Sequence, residues 1–402
     1  MKLVELFSGN KLDKSIYAER YINDRKGRFE DYSEVDARYD PQGSEPYIDL
    51  PFTLLDANRC LILTSEPSNA LLEWVHVGEK FRFFWHPDVS RNELDLVGSV
   101  RTQPTSSTRT LLTEGPYRVY IKTDLNKKHF RFVRRLQRSS VEHSIAVCRD
   151  LRDLCKESAI ETFYGFLPES LGIILLGGEH EGSGVLYRET IPIPSTDDTR
   201  VLIPYHSLYA TDENRKGDEP LLVQISKLHG QNRTLEYFVS AIVAPLLETW
   251  VRLVSKRGLL PELHGQNALI EIDSELKPRR LIHRDFQGTY SDSRIRRAAG
   301  LMLFAKHIAG SERGTTVESQ YSNVFDGMLG RYLLSRMAKT FCAYFPYSYR
   351  NVCDAIKSYH RGIDDWNAVT FPRTTYRFGS SAKLQIGNEV TLMDTGEEPE
   401  FR

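Results

Sequence analysis

The chain has 402 residues, 27% of them charged and 40% hydrophobic, which is enough for two or three domains and excludes a fibrous or disordered protein. Its 53 Lys plus Arg against 54 Asp plus Glu give a formal net charge of −1, without the basic excess of most nucleic-acid binders. The five cysteines are scattered and form no CxxC pair, which argues against a disulfide framework or a zinc knuckle. We therefore predict a globular cytoplasmic protein without a nucleic-acid partner.

The N-terminal quarter, which we take as residues 1–100, combines a polar segment with a helix and a strand. Residues 12–42 are crowded with charges and tyrosines and predict a surface arm with little core. The run Ser65-Glu66-Pro67-Ser68 is a cap signal for a helix through residues 70–74. An aromatic strand over residues 81–85 then ends at His86-Pro87.

The middle of the chain, residues 101–220, has the pattern of mixed α and β structure. Strands are predicted over residues 117–122, 172–176 and 184–188, and helical spacing of apolar residues predicts a helix over 141–155. The apolar run at 171–176 is the longest that we identify, far short of the roughly 18 residues that a membrane span requires. We therefore expect no membrane association.

The last region, residues 221–402, is predicted to be mostly helical. A helix over residues 235–256 ends before Gly258 and Pro261, and two strands follow over 268–272 and 280–283. Apolar faces such as 301–308 and 328–337 predict further helices up to about residue 360. The expected fold class is α+β, with mixed or antiparallel sheets and a helical C-terminal part.

The densest polar cluster of this region lies on both sides of the predicted hairpin. It comprises the run Glu262-Leu263-His264-Gly265-Gln266-Asn267 and the pair Arg284-Asp285. A tight hairpin brings Glu262, Asn267 and Asp285 to the same end of two paired strands. Carboxylate and amide oxygens suit Mg²⁺, while His264 and Arg284 are candidates to reach phosphate oxygens. The alternative is a polar turn whose Asp and Asn cap backbone groups.

A second cluster is rich in hydroxyl groups and cations. It consists of the loop Pro104-Thr105-Ser106-Ser107-Thr108-Arg109-Thr110, the strand residue Lys122 and the more distant Arg134. Hydroxyl and backbone N–H donors beside these cations are a workable recipe for binding a triphosphate or a polycarboxylate. The cluster has no Walker spacing, and the alternative is a solvated loop beside a basic helix face.

Three single residues are weaker candidates. His86 precedes a rigid proline and could line a cleft, although a lone histidine is usually structural. Arg188 ends a predicted strand and could hook a carboxylate, with a surface ion pair as the equal alternative. Lys383 lies beside a turn of small residues, where solvent exposure is the default interpretation.

Taken in order, these segments resemble the IucA/IucC family of NRPS-independent siderophore synthetases. Glu262-Leu263-His264-Gly265-Gln266-Asn267 and Arg284-Asp285-Phe286 are similar to that family's E-x-H-G-Q-N and R-D-F elements. Upstream, His86-Pro87, the Ser107-Thr108-Arg109-Thr110 loop and the stretch from Lys122 to Arg134 follow in the family's order. The chain is shorter than typical members, and residues 88–91 lack the lysine that usually follows the His-Pro element, which bears on citrate specificity.

The resemblance implies a cupped hand, with a reduced thumb in residues 1–100, fingers in 101–220 and a palm in 221–402. It implies an ATP- and Mg²⁺-dependent ligase that adenylates a carboxylate such as citrate, releasing AMP and pyrophosphate, and joins the acyl group to an amine or alcohol. Its members are often dimers, so a homodimer is allowed.

Roles for individual residues follow from the same resemblance. Mg²⁺ would be held by Glu262, Asn267 and Asp285. ATP would be bound by Ser107, Thr108, Arg109, Thr110, Lys122, Arg134, His264, Gln266, Asn267 and Lys383. The carboxylate substrate would contact His86, Thr110 and Arg188. Catalytic roles would belong to His264, Arg134, Arg109 and His86.

Two other functions stay open from the sequence. His283-Arg284-Asp285 imitates the catalytic loop of a kinase, but Tyr290 stands where that loop has an asparagine, and no Gly-rich loop with a following strand lysine occurs upstream. The other alternative is a partner subunit that binds a nucleotide or carboxylate without turnover. Nucleotide products separate the enzymes, because a kinase releases ADP.

Overall fold

The elements of the chain are given by a computed structural model that describes residues 1–23, 34–39, 43, 45–89, 95–129, 132–157, 163–196, 200–304, 316–366, 369–378 and 392–402. The strands are β1 Ile48–Asp56, β2 Cys60–Thr64, β3 His76–Val77, β4 Lys80–Phe84, β5 Gly98–Pro104, β6 Thr110–Thr113, β7 Val119–Thr123, β8 Lys128–His129, β9 Phe132–Val133, β10 Tyr164–Phe166, β11 Glu169–Leu175, β12 Gly184–Glu189, β13 Val201–Pro204, β14 Leu259–Leu260, β15 Ala268–Ile272, β16 Pro278–His283, β17 Tyr290–Ser291, β18 Tyr376–Phe378 and β19 Leu392–Asp394. The α-helices are α1 Lys11–Tyr21, α2 Asn69–Val75, α3 Arg138–Glu157, α4 His206–Tyr209, α5 Leu221–Gly230, α6 Thr234–Tyr237, α7 Ala244–Arg257, α8 Ser293–Ala298, α9 Val317–Ser322, α10 Ser335–Tyr344 and α11 Tyr349–Arg361. The predicted α+β class is confirmed.

A nine-stranded antiparallel sheet forms the first half of the structure, in the order β2-β11-β12-β7-β6-β5-β1-β4-β3. It contains strands from both sides of residue 100. The central strands β6, β7 and β11 are buried along their whole length, because side chains pack against both faces of the sheet. The strands predicted over 81–85, 117–122, 172–176 and 184–188 are confirmed, as is the helix capped by Ser68.

Helix α3 covers one face of this sheet at very short range. A Cβ atom added to Gly172 of β11 would lie 2.3 Å from a methyl group of Val141, and one added to Gly184 of β12 would lie 2.5 Å from the other. Only glycine leaves room for the helix at these two positions. The helix predicted over 141–155 is confirmed with longer bounds.

A four-stranded mixed sheet, in the order β10-β16-β15-β13, carries the predicted hairpin. Strands β15 and β16 pair antiparallel with Ala268 opposite His283, while β10 pairs parallel with β16. The hairpin register therefore places the residues before β15 and after β16 at the same end of the sheet.

The largest apolar core lies between this sheet and the C-terminal helices. The predicted helix over 235–256 is confirmed as α6, the π-helical turn Phe238–Val243 and α7, and it ends at Gly258, whose φ of 59° suits glycine. By length and composition, Leu221–Arg257 could cross a membrane, a run missed in the sequence, but 72% of its most apolar window is buried inside the protein. Its apolar residues thus already have a role in the core.

Two secondary-structure predictions are wrong. A surface arm was expected over residues 12–42, yet its first part belongs to α1, which buries Ile16, Ala18, Glu19 and Arg20. Residues 24–33 and 40–42 of that range lie outside the described residues. Residues 301–304 were expected to begin a helix, but they follow the end of α8 without regular structure. Ile308 of that predicted helix lies outside the described residues.

Candidate functional site

The two predicted polar clusters meet where the two sheets adjoin. The Ser/Thr-rich loop connects β5 to β6 of the large sheet, and Thr110 at its end pairs directly with Lys122 of β7. The chain after β16 carries Asp285, whose carboxylate Oδ1 lies 2.5 Å from Lys122 Nζ. Residues 163 positions apart are therefore in direct contact, and we call this region the inter-sheet site.

Asp285 lies close to two cations of the inter-sheet site, Lys122 and Arg188. Its backbone adopts the left-handed conformation with φ 71°, which points to a constrained turn between β16 and the short helical turn Phe286–Gly288. Arg188 lies behind it, with Nη2 3.9 Å from Asp285 Oδ2 and 2.6 Å from Glu169 Oε1. Burial opposes ionisation of Asp285, but Lys122 and Arg188 outweigh it and hold the pKa of this carboxyl far below its ordinary range.

The buried guanidinium of Arg109 connects the Ser/Thr loop to neighbouring segments by hydrogen bonds. Its Nη1 donates to the carbonyl oxygens of Arg134 and Arg135 at 3.1 and 2.9 Å, and its Nη2 donates to Gln287 Oε1 at 2.8 Å. Burial lowers the pKa of Arg109 to about 10, although the Asp285 charge opposes this. Arg109 therefore links the loop to the turn after Asp285.

The hydroxyl groups of the loop differ in what they contact. Thr105 Oγ1 donates to the Thr110 carbonyl at 2.7 Å and accepts from the Ser107 N–H at 3.1 Å, so it shapes the loop. Ser107 is partly exposed, and its Oγ accepts from the Arg109 N–H at 3.4 Å. Thr108 and Thr110 are buried. Within the loop, Ser107 is thus the hydroxyl most open to a ligand.

His86 supports the same loop. Its Nε2 lies 2.8 Å from the Thr108 carbonyl oxygen, and its Nδ1 accepts from the Asp88 N–H at 3.1 Å, so Nε2 carries the proton. Burial lowers the pKa of His86 to about 4, which keeps the ring neutral. Both ring nitrogens are engaged by backbone, so the geometry gives His86 a supporting position beneath the loop and leaves no ring nitrogen open to a carboxylate.

Glu262 and Arg134 are the two charged side chains at the site that are held least tightly. Neither has a hydrogen bond or an ion pair within 4 Å among the described residues. Burial and the nearby Asp285 carboxylate raise the pKa of Glu262 to about 7, while Arg134 and Lys122 act in the opposite direction. A Cβ atom added to Gly288 would lie 2.1 Å from Glu262 Oε2, so this glycine makes the room in which the carboxylate sits.

The turn from His264 to Asn267 closes the end of the hairpin. His264 Nδ1 accepts from the Gln266 N–H at 3.2 Å, and the Asn267 carbonyl accepts from the Arg284 N–H at 3.0 Å. His264 and Gln266 are partly exposed and Asn267 is buried. The side chain of Arg284 does not face a ligand, because it forms a buried pair with Glu19 at 2.6 Å, against our expectation that it could reach phosphate oxygens.

Comparison with known proteins gives one match to a family model. Residues 85–210 match the model of the IucA / IucC family. The matched segment contains the Ser/Thr-rich loop, Lys122 and Arg188 of the inter-sheet site. No curated protein sequence matches the chain.

Solved structures resemble the chain over most of its length. The petrobactin biosynthesis protein AsbB from Bacillus anthracis str. Sterne has a TM-score of 0.67 and 16% identity, covering 87% of this chain and 68% of AsbB. ATP-bound aerobactin synthetase IucA from a hypervirulent pathotype of Klebsiella pneumoniae has a TM-score of 0.66 and 15% identity, covering 94% and 73%. Aerobactin synthetase IucC from the same source has a TM-score of 0.66 and 14% identity, covering 91% and 74%. The TM-scores show a shared fold.

Most of the predicted site residues lie close together in the structure, and one lies outside the described residues. The inter-sheet site includes Lys122, Arg109, Arg188, Glu262 and Asp285 in mutual contact or electrostatic interaction. Lys383 lies outside the described residues. The division into thumb, fingers and palm stays a prediction.

Three supporting residues were not found from the sequence. Glu19, Glu169 and Gln287 each hold a predicted site arginine, yet none lies in a motif. For Glu169 the available signal was an acidic residue at the start of an apolar strand, which must be paired if it is buried. Glu19 lies in a helix of mostly polar residues and gave no such signal. For Gln287 the only signal in the sequence was its position two residues after Asp285.

Proposed function

We propose that this chain is an ATP- and Mg²⁺-dependent ligase that adenylates a small carboxylate and transfers the acyl group to an amine or an alcohol, in siderophore or related natural-product biosynthesis. One observation carries the proposal. The loop within the family-matched segment and the Glu262–Asp285 hairpin outside it converge, through the 2.5 Å contact between Lys122 and Asp285. The match of residues 85–210 to the family model and the fold shared with ATP-bound aerobactin synthetase IucA support it.

The residues of the inter-sheet site fit a magnesium–nucleotide complex. No group of three or more His, Cys, Asp or Glu side chains stands close enough to hold a metal within the described part of the chain. Mg²⁺ commonly needs only one or two protein carboxylates and takes its other ligands from phosphates and water. Glu262, whose carboxylate has no ion-pair partner among the residues that the structure describes, and Asp285 would supply those carboxylates, with Asn267 beside them. Bound Mg²⁺ would neutralise charge on phosphate oxygens.

Some cations of the site already have partners within the protein, whereas, among the described residues, Arg134 is free to contact a ligand. Lys122 and Arg109 are buried and held by Asp285 and Gln287, so they supply positive potential from below a bound nucleotide. Arg134 has no ion pair within 4 Å among the described residues and faces Glu262 and Asp285 electrostatically. We assign it the contact with transferring phosphate oxygens, where a preorganised guanidinium stabilises developing charge. His264, partly exposed at the hairpin end, would line the same nucleotide.

The carboxylate substrate is proposed to enter beside the Ser/Thr loop. Ser107 and Thr110 belong to that loop, and Arg188 lies behind Asp285 with Nε buried and without a hydrogen-bond partner in the described structure. A polycarboxylic acid such as citrate matches the local excess of cations. Ordering of the acid and exclusion of water then govern capture of the activated acyl group.

Product analysis tests the proposal. Purified protein is incubated with ATP, Mg²⁺, a panel of di- and tricarboxylates led by citrate, and hydroxylamine as a generic acceptor. We expect AMP, pyrophosphate and a hydroxamate that depend on one acid. ADP would instead support the kinase alternative, and binding without turnover over the whole panel would support the partner-subunit alternative.

A further inference from the structure

One buried carboxylate connects the two walls of the inter-sheet site. Glu19 Oε1 accepts from Arg284 Nη1 at 2.6 Å, and its Oε2 accepts from Arg284 Nη2 at 2.9 Å. The same Oε2 also accepts from the backbone N–H of Ser106 at 3.2 Å and from Ser106 Oγ at 3.1 Å. We call these three residues the Glu19 clamp.

The clamp is sealed from solvent and fully paired. Glu19 is 0% exposed, and Ser106 and Arg284 are each 3% exposed. Burial opposes ionisation of Glu19, but the bidentate Arg284 pair outweighs it and keeps the pKa of Glu19 below its ordinary value. A buried carboxylate is costly unless its oxygens accept hydrogen bonds, and both oxygens of Glu19 do so here.

The helix that carries Glu19 lies across the junction of the two sheets. Ile16 on α1 packs in a small core with Leu112 and Tyr120 of the large sheet and with Leu269 and Ile282 of the four-stranded sheet. The same helix is fixed at its other end, where Asp13 pairs with Arg118 at 2.6 Å. The two sheets are therefore joined through α1 by an apolar contact at Ile16 and by the ion pair between Glu19 and Arg284.

Two residues of the Glu19 clamp are adjacent in the chain to residues of the inter-sheet site. Ser106 immediately precedes Ser107, the most open hydroxyl of the loop, and Arg284 immediately precedes Asp285, which holds Lys122. We infer that Glu19 is a positioning residue for the ligase reaction, setting the distance between the Ser/Thr loop and the Asp285 carboxylate. This inference rests on the proposed function, although Glu19 itself contacts neither nucleotide nor acid.

Two substitutions of Glu19 probe the clamp with little change of shape. In Glu19→Gln one oxygen becomes an N–H donor that faces the donors of Arg284 or Ser106, so one side of the clamp opens. In Glu19→Asp the carboxylate is shorter by one methylene and cannot reach both partners. Asp13→Asn is the matched control, because it removes an ion pair of the same helix without touching the clamp.

The readouts separate positioning from general support of the fold. The measurements are kcat and KM for ATP in acid-dependent AMP formation, the thermal midpoint, and hydrogen exchange of residues 104–110, all well below the unfolding transition. Displacement of about 1 Å at a reacting centre costs on the order of 100-fold in rate. We expect kcat/KM for ATP to fall by about that factor in both Glu19 variants, with faster exchange in 104–110, and to stay unchanged in Asp13→Asn.

Two results would overturn the inference. The first is a Glu19→Gln protein that is less heat-stable but keeps kcat/KM within twofold of the unsubstituted protein. The second is unchanged hydrogen exchange in residues 104–110. If the unsubstituted protein forms no AMP with any acid, the proposed function fails, and the exchange measurement alone still decides whether Glu19 orders the loop.

Discussion

Substitution of Gly288 by alanine moves one carboxylate without removing it. The added methyl group would lie 2.1 Å from Glu262 Oε2 and 3.1 Å from its carboxyl carbon, whereas ordinary contact begins near 3.4 Å. The carboxylate oxygen must therefore shift by about 1.3 Å. Because the obstructing atom is the end of a flexible side chain, the fold can absorb the change, and we expect the thermal midpoint to fall by only about 2–3 °C.

The effect on activity should be large, because Mg²⁺ demands near-ideal ligand geometry at about 2.1 Å. We expect Gly288→Ala to lower kcat/KM for magnesium–ATP by about 100-fold, the cost of a misplacement of this size. The assay is acid-dependent pyrophosphate release over a range of Mg²⁺ concentrations. Gly217→Ala is the matched control, since a Cβ there meets nothing within 4 Å.

A double-substitution cycle tells whether the loss acts through Glu262. In a Glu262→Ala background no carboxylate remains to be displaced, so Gly288→Ala should cost nothing further. Full activity of Gly288→Ala would refute the assignment of Glu262 to the metal. An equal loss in both backgrounds would refute the steric reasoning.

Three further predictions follow from other contacts. Asp285→Asn should reduce Mg²⁺-dependent turnover at least 100-fold with an unchanged circular dichroism spectrum, because Lys122 loses its partner; full activity would remove Asp285 from the site. Burial lowers the pKa of His86 to about 4 in the folded protein. As the pH falls below about 6.5, His86 is therefore protonated in the unfolded chain before it is protonated in the folded one, and the free energy of unfolding decreases. In denaturant titrations between pH 7 and 5, the free energy of unfolding of His86→Asn should decrease by about 2 kcal/mol less than that of the unsubstituted protein. Gly184→Ala should destabilise by about 1–3 kcal/mol in urea, because its methyl group overlaps Val141; an unchanged midpoint would contradict that packing.

The features that follow from local rules could be predicted from the sequence. Glu262 and Asp285 were expected at one end of the hairpin because antiparallel pairing fixes which strand ends meet. The pairing of Ala268 with His283 confirms this expectation. Likewise the amphipathic spacing over residues 141–155 identified α3. Such features depend only on residues that lie close together in the chain.

The features that depend on distant partners could not be predicted. The polar sequence of α1 indicated a surface arm, because the burial of Glu19 is favourable only beside Arg284, 265 positions away. In the same way His86 gave no sign that backbone groups engage both of its ring nitrogens. Sequence patterns report the polarity of a residue but not whether a partner will neutralise it.

The separation of the site residues along the chain has a consequence for folding. Lys122 and Asp285 are 163 positions apart, and Glu19 and Arg284 are 265 apart, so the inter-sheet site consists of contacts with high loop-closure entropy. We expect local helices and hairpins to form first and the site to be completed only when the two sheets dock. A partly folded chain would then hold the two halves of the site apart.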